Sequence, residues 1–213
     1  MLSAITRLLI RLSDKDRETL EHVMRVGSLA HCWTSFHQLS DQDDRQAFIV
    51  GCFVHDVGKI MIDGSILQKS SKLDRSEWDT MRTHPEWGEK LLIEEQMTDG
   101  RLLDIVKHHH ERWDGRGYPM GLQGEEIPVL ARMCSIIDAF DAMISDRPYK
   151  KGMSVEQAKE ELAVQSGIQF DEFYVRQFLS LPDQLLRNPI PLNLEQLAVE
   201  GTLFYEHSSW KGN

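Results

Sequence analysis

The sequence predicts an all-α fold: a single helical bundle with a short irregular or helical C-terminal extension. Three observations carry that reading. Apolar residues recur at helical spacing through nearly the whole chain, capping signals punctuate them, and no stretch sustains the alternation a strand needs. No internal repeat or low-complexity run interrupts the pattern.

Leu2, Ile5, Leu8, Leu9 and Leu12 share a helical face, so residues 1–13 are expected to form an amphipathic helix packed on the domain. Arg7, Arg11 and the lack of a small-residue cleavage site speak against a targeting segment. With Ser13 or Asp14 as cap, a long helix is expected to reach about Leu39, carrying Leu20, Val23, Val26, Ala30 and Trp33 on one side. After a polar break at 40–44, a second helix spans about Arg45 to Val57, and Gly58 can end it in the left-handed conformation.

Residues 58–73 read as irregular, and Asp74 with Glu77 then makes a capping-box start. His84-Pro85 opens another helix, because proline is tolerated in a first turn. Residues 101–110 read as a helix entering a turn-rich loop, Trp113 to Gly124, where Gly115 and Gly117 allow positive φ. Pro128 to about Ile144 is a nearly uncharged helix. Ser154 with Gln157 caps the next, to about Gln165, and a last one covers about Asp171 to Leu181. The extension at 182–213 holds Leu185, Leu186, Ile190, Leu192, Leu194, Leu197, Phe204 and Tyr205, which need cover from the domain's own flank or from a homodimer partner.

The 213 residues, 41% hydrophobic and 27% charged, suit one globular domain. A formal charge of −10 argues against a polymeric nucleic-acid partner or an anionic membrane surface. It leaves room for a small anionic substrate if bound cations reverse the local sign. Cys32, Cys52 and Cys134 are scattered through apolar stretches without a CxxC, as reduced buried thiols would be. No window reaches the ~18 uncharged apolar residues of a membrane span, so the expectation is a cytoplasmic protein.

Nine histidines accompany this acidic composition, and His22, His55, His84, His108, His109 and His110 fall beside carboxylates or turns. Asp138 and Asp141 interrupt an apolar helix on one face, where a buried carboxylate is costly unless it meets a cation. Buried ion pairing is the plain account of these two. Nitrogen and oxygen donors without thiolates suit Fe, Mn, Zn or Ni. Two such ions ~3.5–4 Å apart can hold a bridging hydroxide and brace a phosphate ester. The tryptophans Trp33, Trp78, Trp87 and Trp113 are expected in core or pocket wall rather than against a nucleobase, with Trp113 nearest the loop of interest.

His55-Asp56-Val-Gly58-Lys59, His84-Pro-Glu-Trp-Gly88 and His109-His110-Glu111-Arg-Trp-Asp114-Gly115-Arg-Gly117-Tyr118-Pro119 resemble the signature of the HD-GYP family, bacterial cyclic dinucleotide phosphodiesterases within the HD superfamily. Ile127 through Asp141, Asp146-Arg147-Pro148-Tyr149-Lys150, and Ser166-Gly167 with Phe170-Asp171 resemble its later half, so the likeness covers about 14–181. The resemblance implies metal ligands His22, His55, Asp56, His84, His109, His110 and Asp138, with Asp56 bridging two ions of iron or manganese. Lys59, Asp141, Arg147 and Lys150 match positions used around substrate phosphates and the nucleophile. His108 is left over, solvent-facing or behind the ligands.

Glu18, four residues before His22, resembles the family subset that holds three divalent ions rather than two. The loop Gly117-Tyr118-Pro119 is implied to shape the pocket and to meet a diguanylate cyclase partner. The implied reaction is hydrolysis of cyclic di-GMP to the linear dinucleotide pGpG and on to GMP. Cyclic GMP-AMP is the nearest alternative substrate, and a non-catalytic adaptor the alternative class. A mononucleotide phosphohydrolase would not need His84, the His109-His110 pair or the loop.

Overall fold

The computed structural model describes residues 3–38, 41–146 and 151–192. Among these it is all α: α1 Ala4–Lys15, α2 Arg17–Phe36, α3 Gln42–Val54, α4 Gly64–Leu67, α5 Arg75–Met81, α6 His84–Glu94, α7 Gly100–His108, α8 Val129–Ile144, α9 Val155–Val164, α10 Glu172–Leu179 and α11 Asp183–Arg187. Short 3-10 turns occupy Val57–Met61 and Gly124–Glu126. The nearest approach to a sheet among the described residues is a single bridge between Ser166 and Phe170.

The centre of the bundle is α2, α3, α7 and α8, packed on one another, with α6 laid against the 3-10 turn at 57–61. Their apolar faces meet around Val26, Trp33, Phe48, Phe53, Ile105 and Phe140, all with no more than trace exposure. Each fully buried side chain of this size contributes roughly 1.5–3 kcal/mol by leaving water, which is what fixes the helix ends that carry the polar residues described below. α1 belongs to the same core through Ile5, Leu8, Leu9 and Leu12, while Leu2 lies outside the described residues. Leu186 and Leu192 of the extension cover the domain's own flank, and Ile190 is exposed. The three cysteines are free and buried.

Several boundaries differ from the sequence reading. α1 runs on to Lys15, and Asp16, rather than Ser13 or Asp14, caps α2 by accepting the Thr19 N–H. α3 begins earlier and ends earlier, with Asp41 as its cap, and the segment after it is a 3-10 turn plus α4 rather than irregular chain. Gly58 does not end α3 in the left-handed conformation. It is needed for close approach: a Cβ there would lie 1.8 Å from the His84 carbonyl oxygen. Gly115 does adopt positive φ, at 75°. Gly117 is not among the positive-φ glycines; a Cβ on it would meet the backbone of Glu111 and Arg112 at about 2.5 Å. The capping boxes at Asp74/Glu77 and Ser154/Gln157 form as read.

Candidate metal centre

Helix ends and one helix middle converge at a single buried point. His55 and Asp56 follow α3, His84 opens α6, His109 and His110 follow α7, and Asp138 projects from the middle of α8 toward His22 on α2. The polar atoms of these seven residues fall into two groups, Asp56, His84, His109 and His110 in one, His22, His55 and Asp138 in the other. All seven ligands implied by the resemblance are therefore together.

The histidines are aimed by their second nitrogens. His55 Nδ1 bonds the Cys52 carbonyl at 2.8 Å, His84 Nδ1 the Met81 carbonyl at 2.8 Å and His109 Nδ1 the Val106 carbonyl at 2.9 Å. In each case the acceptor lies three residues earlier, at the C-terminal end of the preceding helix, α3, α5 or α7, so the ring is fixed by local chain. A carbonyl can only accept, so these Nδ1 atoms carry the proton and each Nε2 is left with a lone pair. His22 is held differently: Nδ1 meets Asp141 Oδ2 at 2.8 Å and Nε2 meets Asp138 Oδ1 at 3.0 Å. Arg25 in turn grips both oxygens of Asp141, at 2.8 and 2.9 Å.

Three features fit divalent ions at this point. The His84 and His109 Nε2 atoms face each other at 3.3 Å, a spacing at which two imidazole nitrogens share a proton or converge on one cation. His55 Nε2 and Asp56 Oδ1 are buried without a hydrogen-bond partner. Such atoms are costly unless something else satisfies them. Finally, Asp56 faces both groups: Oδ1 lies 3.1 Å from His84 Nε2 and 3.9 Å from His109 Nε2, whereas Oδ2 lies 3.6 Å from His55 Nε2 and 3.9 Å from His22 Nε2. A carboxylate so placed can bridge two ions.

Protonation follows the same division. Burial, with neighbouring imidazoles, pushes His109 well below the usual histidine range and His110 down to about 3. Burial likewise lowers His55. Neutral imidazole is the ligating form. Burial also acts to lower His22, but the hydrogen bonds to Asp138 and Asp141 outweigh it and raise that ring to about 9. A proton there stands where a cation would. Burial works against ionisation of Asp56, yet Lys59, with Nζ 2.6 Å from Oδ2, and the adjacent histidines hold its carboxyl well below the carboxylate range.

A cavity of about 520 Å³ opens onto the centre, lined by His22, Asp56, Lys59, His84, His110 and Asp138 among others. A smaller one of about 200 Å³ lies on the other side of Tyr118, with Arg82, Arg116 and Gln169 in its wall. Tyr118 stacks on His110 at 4.7 Å between centroids, and the Arg82 guanidinium lies over the Tyr118 ring, 4.7 Å from its centroid. The loop is tied down by Glu111, 3% exposed, whose carboxylate accepts the N–H groups of Met120, Gly121 and Leu122. Pro119 follows a cis peptide bond.

Some expectations need correction. Asp141 was placed near substrate phosphates; it is 1% exposed, with both oxygens committed to His22 and Arg25, and it orients a ligand instead. Of the two places expected for His108, solvent or behind the ligands, the structure excludes the first: it is buried beside Glu111, its Nδ1 3.8 Å from that carboxylate. Trp113 packs against Arg132 and lines neither cavity, whereas Trp78 lines the larger one. Glu18 is exposed in the first turn of α2, outside both ligand groups, although it shares a cavity wall with His22. Arg147 and Lys150 lie outside the described residues. Sequence reasoning missed Arg25 and the loop-tying part of Glu111; the one signal for Arg25 was its place three residues after His22 on the same helix face.

Residues 8–172 match the HD domain family. A cyclic di-GMP phosphodiesterase of Pseudomonas aeruginosa is 38% identical over 171 residues, covering 80% of this chain and 41% of that protein. A 3'3'-cGAMP-specific phosphodiesterase of Vibrio cholerae is also 38% identical, over 180 residues, covering 81% and 33%. The chain spans less than half the length of these two relatives. Among solved structures, an HDGYP protein of Bdellovibrio bacteriovorus superposes with a TM-score of 0.60 at 19% identity, over 78% of this chain and 52% of that one. An HD domain of an L. monocytogenes phosphodiesterase, solved with cyclic-di-AMP, gives 0.52 at 16% identity, over 95% and 96%. These two show likeness of fold. The match over residues 8–172, joined to the clustered His and Asp residues, places the chain in the HD domain family.

Proposed function

We propose that this domain is a metal-dependent phosphodiesterase that hydrolyses cyclic di-GMP to linear pGpG and on to GMP. The observation that carries the proposal is Asp56, whose two oxygens face two separate groups of histidine nitrogens. The names of the relatives support the substrate class. Bound divalent ions supply Lewis acidity and lower the pKa of water, the chemistry a phosphodiester bond needs.

The chain's own residues do the rest. Asp56 and Asp138 supply two negative charges against two dications, leaving a local excess of positive charge in a protein of formal charge −10. A phosphodiester anion is thereby drawn in. Burial disfavours a charged Lys59, but Asp56 keeps it protonated, so its Nζ holds a proton at the cavity wall within reach of a phosphate or leaving oxygen. Tyr118 and the loop fixed by Glu111 close one side of the centre against water. Arg147 and Lys150 are proposed for the substrate's phosphates on the resemblance, the first as a bidentate grip and the second as a point charge. Iron or manganese is the proposed metal on the resemblance, and the imidazole and carboxylate donors suit either. Glu18, on the same cavity wall as His22, is the proposed ligand of a third ion.

Two contacts belong to the same proposal. The loop tip, with Arg116 and the 63%-exposed Met120, is where a diguanylate cyclase would dock, and a second copy of the chain would form a homodimer; solution mass and co-elution test both. For the activity, anaerobically purified protein is analysed for metal and then given cyclic di-GMP, cyclic GMP-AMP and cyclic di-AMP. Turnover of cyclic di-GMP that follows metal content is expected. Metal loading without turnover of any of the three would leave an adaptor rather than an enzyme.

A further inference from the structure

Four tryptophans are described, and three of them have a partner for the indole face. Trp33 packs against Phe48 and Phe178, Trp87 lies under the Lys90 ammonium, and Trp113 lies under the Arg132 guanidinium. Trp78 differs. No ring or cation stacks on it among the described residues, and it is 51% exposed. An unstacked indole is a large apolar surface left in water, and an aromatic face is where Trp side chains gain most.

Its position gives that surface a use. Trp78 belongs to α5 and lines the same 520 Å³ cavity as Asp56, Lys59, His84 and Asp138. Lys72 and Ser71 lie in the same wall, and Lys72 has no carboxylate partner among the described residues. The cavity volume falls within the roughly 300–1,000 Å³ of small-molecule sites. The same wall thus carries the donors for metal and phosphate and an indole. A phosphodiester with a flat aromatic substituent matches that pairing, whereas a simple phosphate ester would leave the indole idle.

We propose that Trp78 is the platform on which one nucleobase of the substrate stacks, positioning the scissile phosphate at the metal centre. The inference rests on the phosphodiesterase reading above and adds a residue for holding the base. Stacking on an indole tolerates any base, because every base has a π-face. Trp78 therefore contributes affinity for cyclic di-GMP and cyclic GMP-AMP alike and leaves discrimination between guanine and adenine to other groups. Nothing in this assignment requires Trp78 to touch the reacting atoms.

The test compares wild type with Trp78→Leu, which keeps an apolar side chain without a π-face, and Trp78→Phe, which keeps a smaller one. Metal content and thermal melting are recorded for all three. For Trp78→Leu the KM for cyclic di-GMP and the inhibition constant of GMP are expected to rise about ten-fold, within the range of base stacking losses, with kcat nearly unchanged. Trp78→Phe is expected to recover most of the loss. The inhibition constant of inorganic phosphate, which has no ring to stack, is expected to stay as in wild type. Unchanged KM and GMP inhibition in Trp78→Leu would overturn the assignment while leaving the phosphodiesterase intact. An equal rise for inorganic phosphate would also overturn it, by showing that Trp78 supports the metal centre rather than the base. A wild type that turns over no cyclic dinucleotide would remove the underlying reading itself.

Discussion

The group around His84 and the group around His22 share Asp56, yet they are assembled by different means. In the first, the histidines whose anchors are resolved, His84 and His109, bond carbonyls three residues back, and both rings are buried to within 1% exposure. In the second, His22 leaves the middle of α2 and is held by Asp141, 119 residues away, which Arg25 secures in turn. His55 lies between the two, its ring edge-on to both His22 and His109. One group is prepared by local chain geometry, and burial keeps its His109 and His110 rings neutral. The other depends on the docking of α8 against α2 and gathers enough negative charge to hold a proton.

The largest effect should come from striking what the two groups share. Replacing His55 and Asp56 together by Ala removes ligands from both, and is expected to abolish metal binding and to lower kcat by about a thousand-fold or more, several kcal/mol of barrier. Circular dichroism should still report a helical protein. Hydrolysis retained by a metal-depleted double variant would reject the mechanism.

The groups should separate with pH. The His22 pKa, about 9, means that an ion bound there must displace a proton at neutral pH, and each unit below 9 weakens that ion about ten-fold. His109 and His110 have lowered pKa values, so no such competition arises at their rings near neutrality. The sign is definite: raising pH strengthens the second ion, and lowering it strips the second ion first. Metal per chain, measured after equilibration at pH 8.5 and at pH 6, is expected to fall toward one. Equal loss from both groups would erase the distinction.

Arg25→Ala sharpens the same contrast without touching a ligand. Freed from the guanidinium, Asp141 no longer fixes the His22 ring. A loss of about 10–100-fold in affinity for the second ion is expected, as for other groups that orient a metal-bound histidine. Calorimetric metal titration of wild type and variant reads this directly, and an unchanged second binding event would show that His22 needs no such support.

The contrast also explains what was legible beforehand. Capping boxes and the run from His109 to Pro119 are local patterns, and they appear where the residues suggested, whereas the ends of α1, α2 and α3 shift by a few residues. The seven clustered candidate ligands could be collected from a resemblance because the motifs that carry them are short. Asp141 was misplaced for the opposite reason: its acidic side chain in an apolar helix announces a partner, but only the packing of α8 on α2 shows that the partners are His22 and Arg25. Gly58 and Gly117 were read as turn-formers, whereas each is required by a close backbone approach that no local pattern encodes. Glu111 is similar, since its three backbone donors lie nine to eleven residues ahead of it.

Two smaller effects follow. Glu111→Ala leaves three loop N–H groups without their buried acceptor and is expected to cost about 1–2 kcal/mol in denaturant-melt stability, while both ions still bind. A variant as stable as wild type would mean that water replaces the carboxylate there. Glu18→Ala is expected to remove one metal per chain if Glu18 holds a third ion, and to slow the second cleavage, of pGpG, more than the first. Equal metal content in variant and wild type would return Glu18 to the surface.

The central claim is that two ions meeting at Asp56 make the active centre. It is tested most directly by adding manganese or ferrous iron stepwise and anaerobically to metal-free protein at pH 8.5 while cyclic di-GMP turnover is followed. The account predicts little turnover through the first equivalent and a rise across the second. Full activity reached at one equivalent, or present before any metal is added, would contradict it.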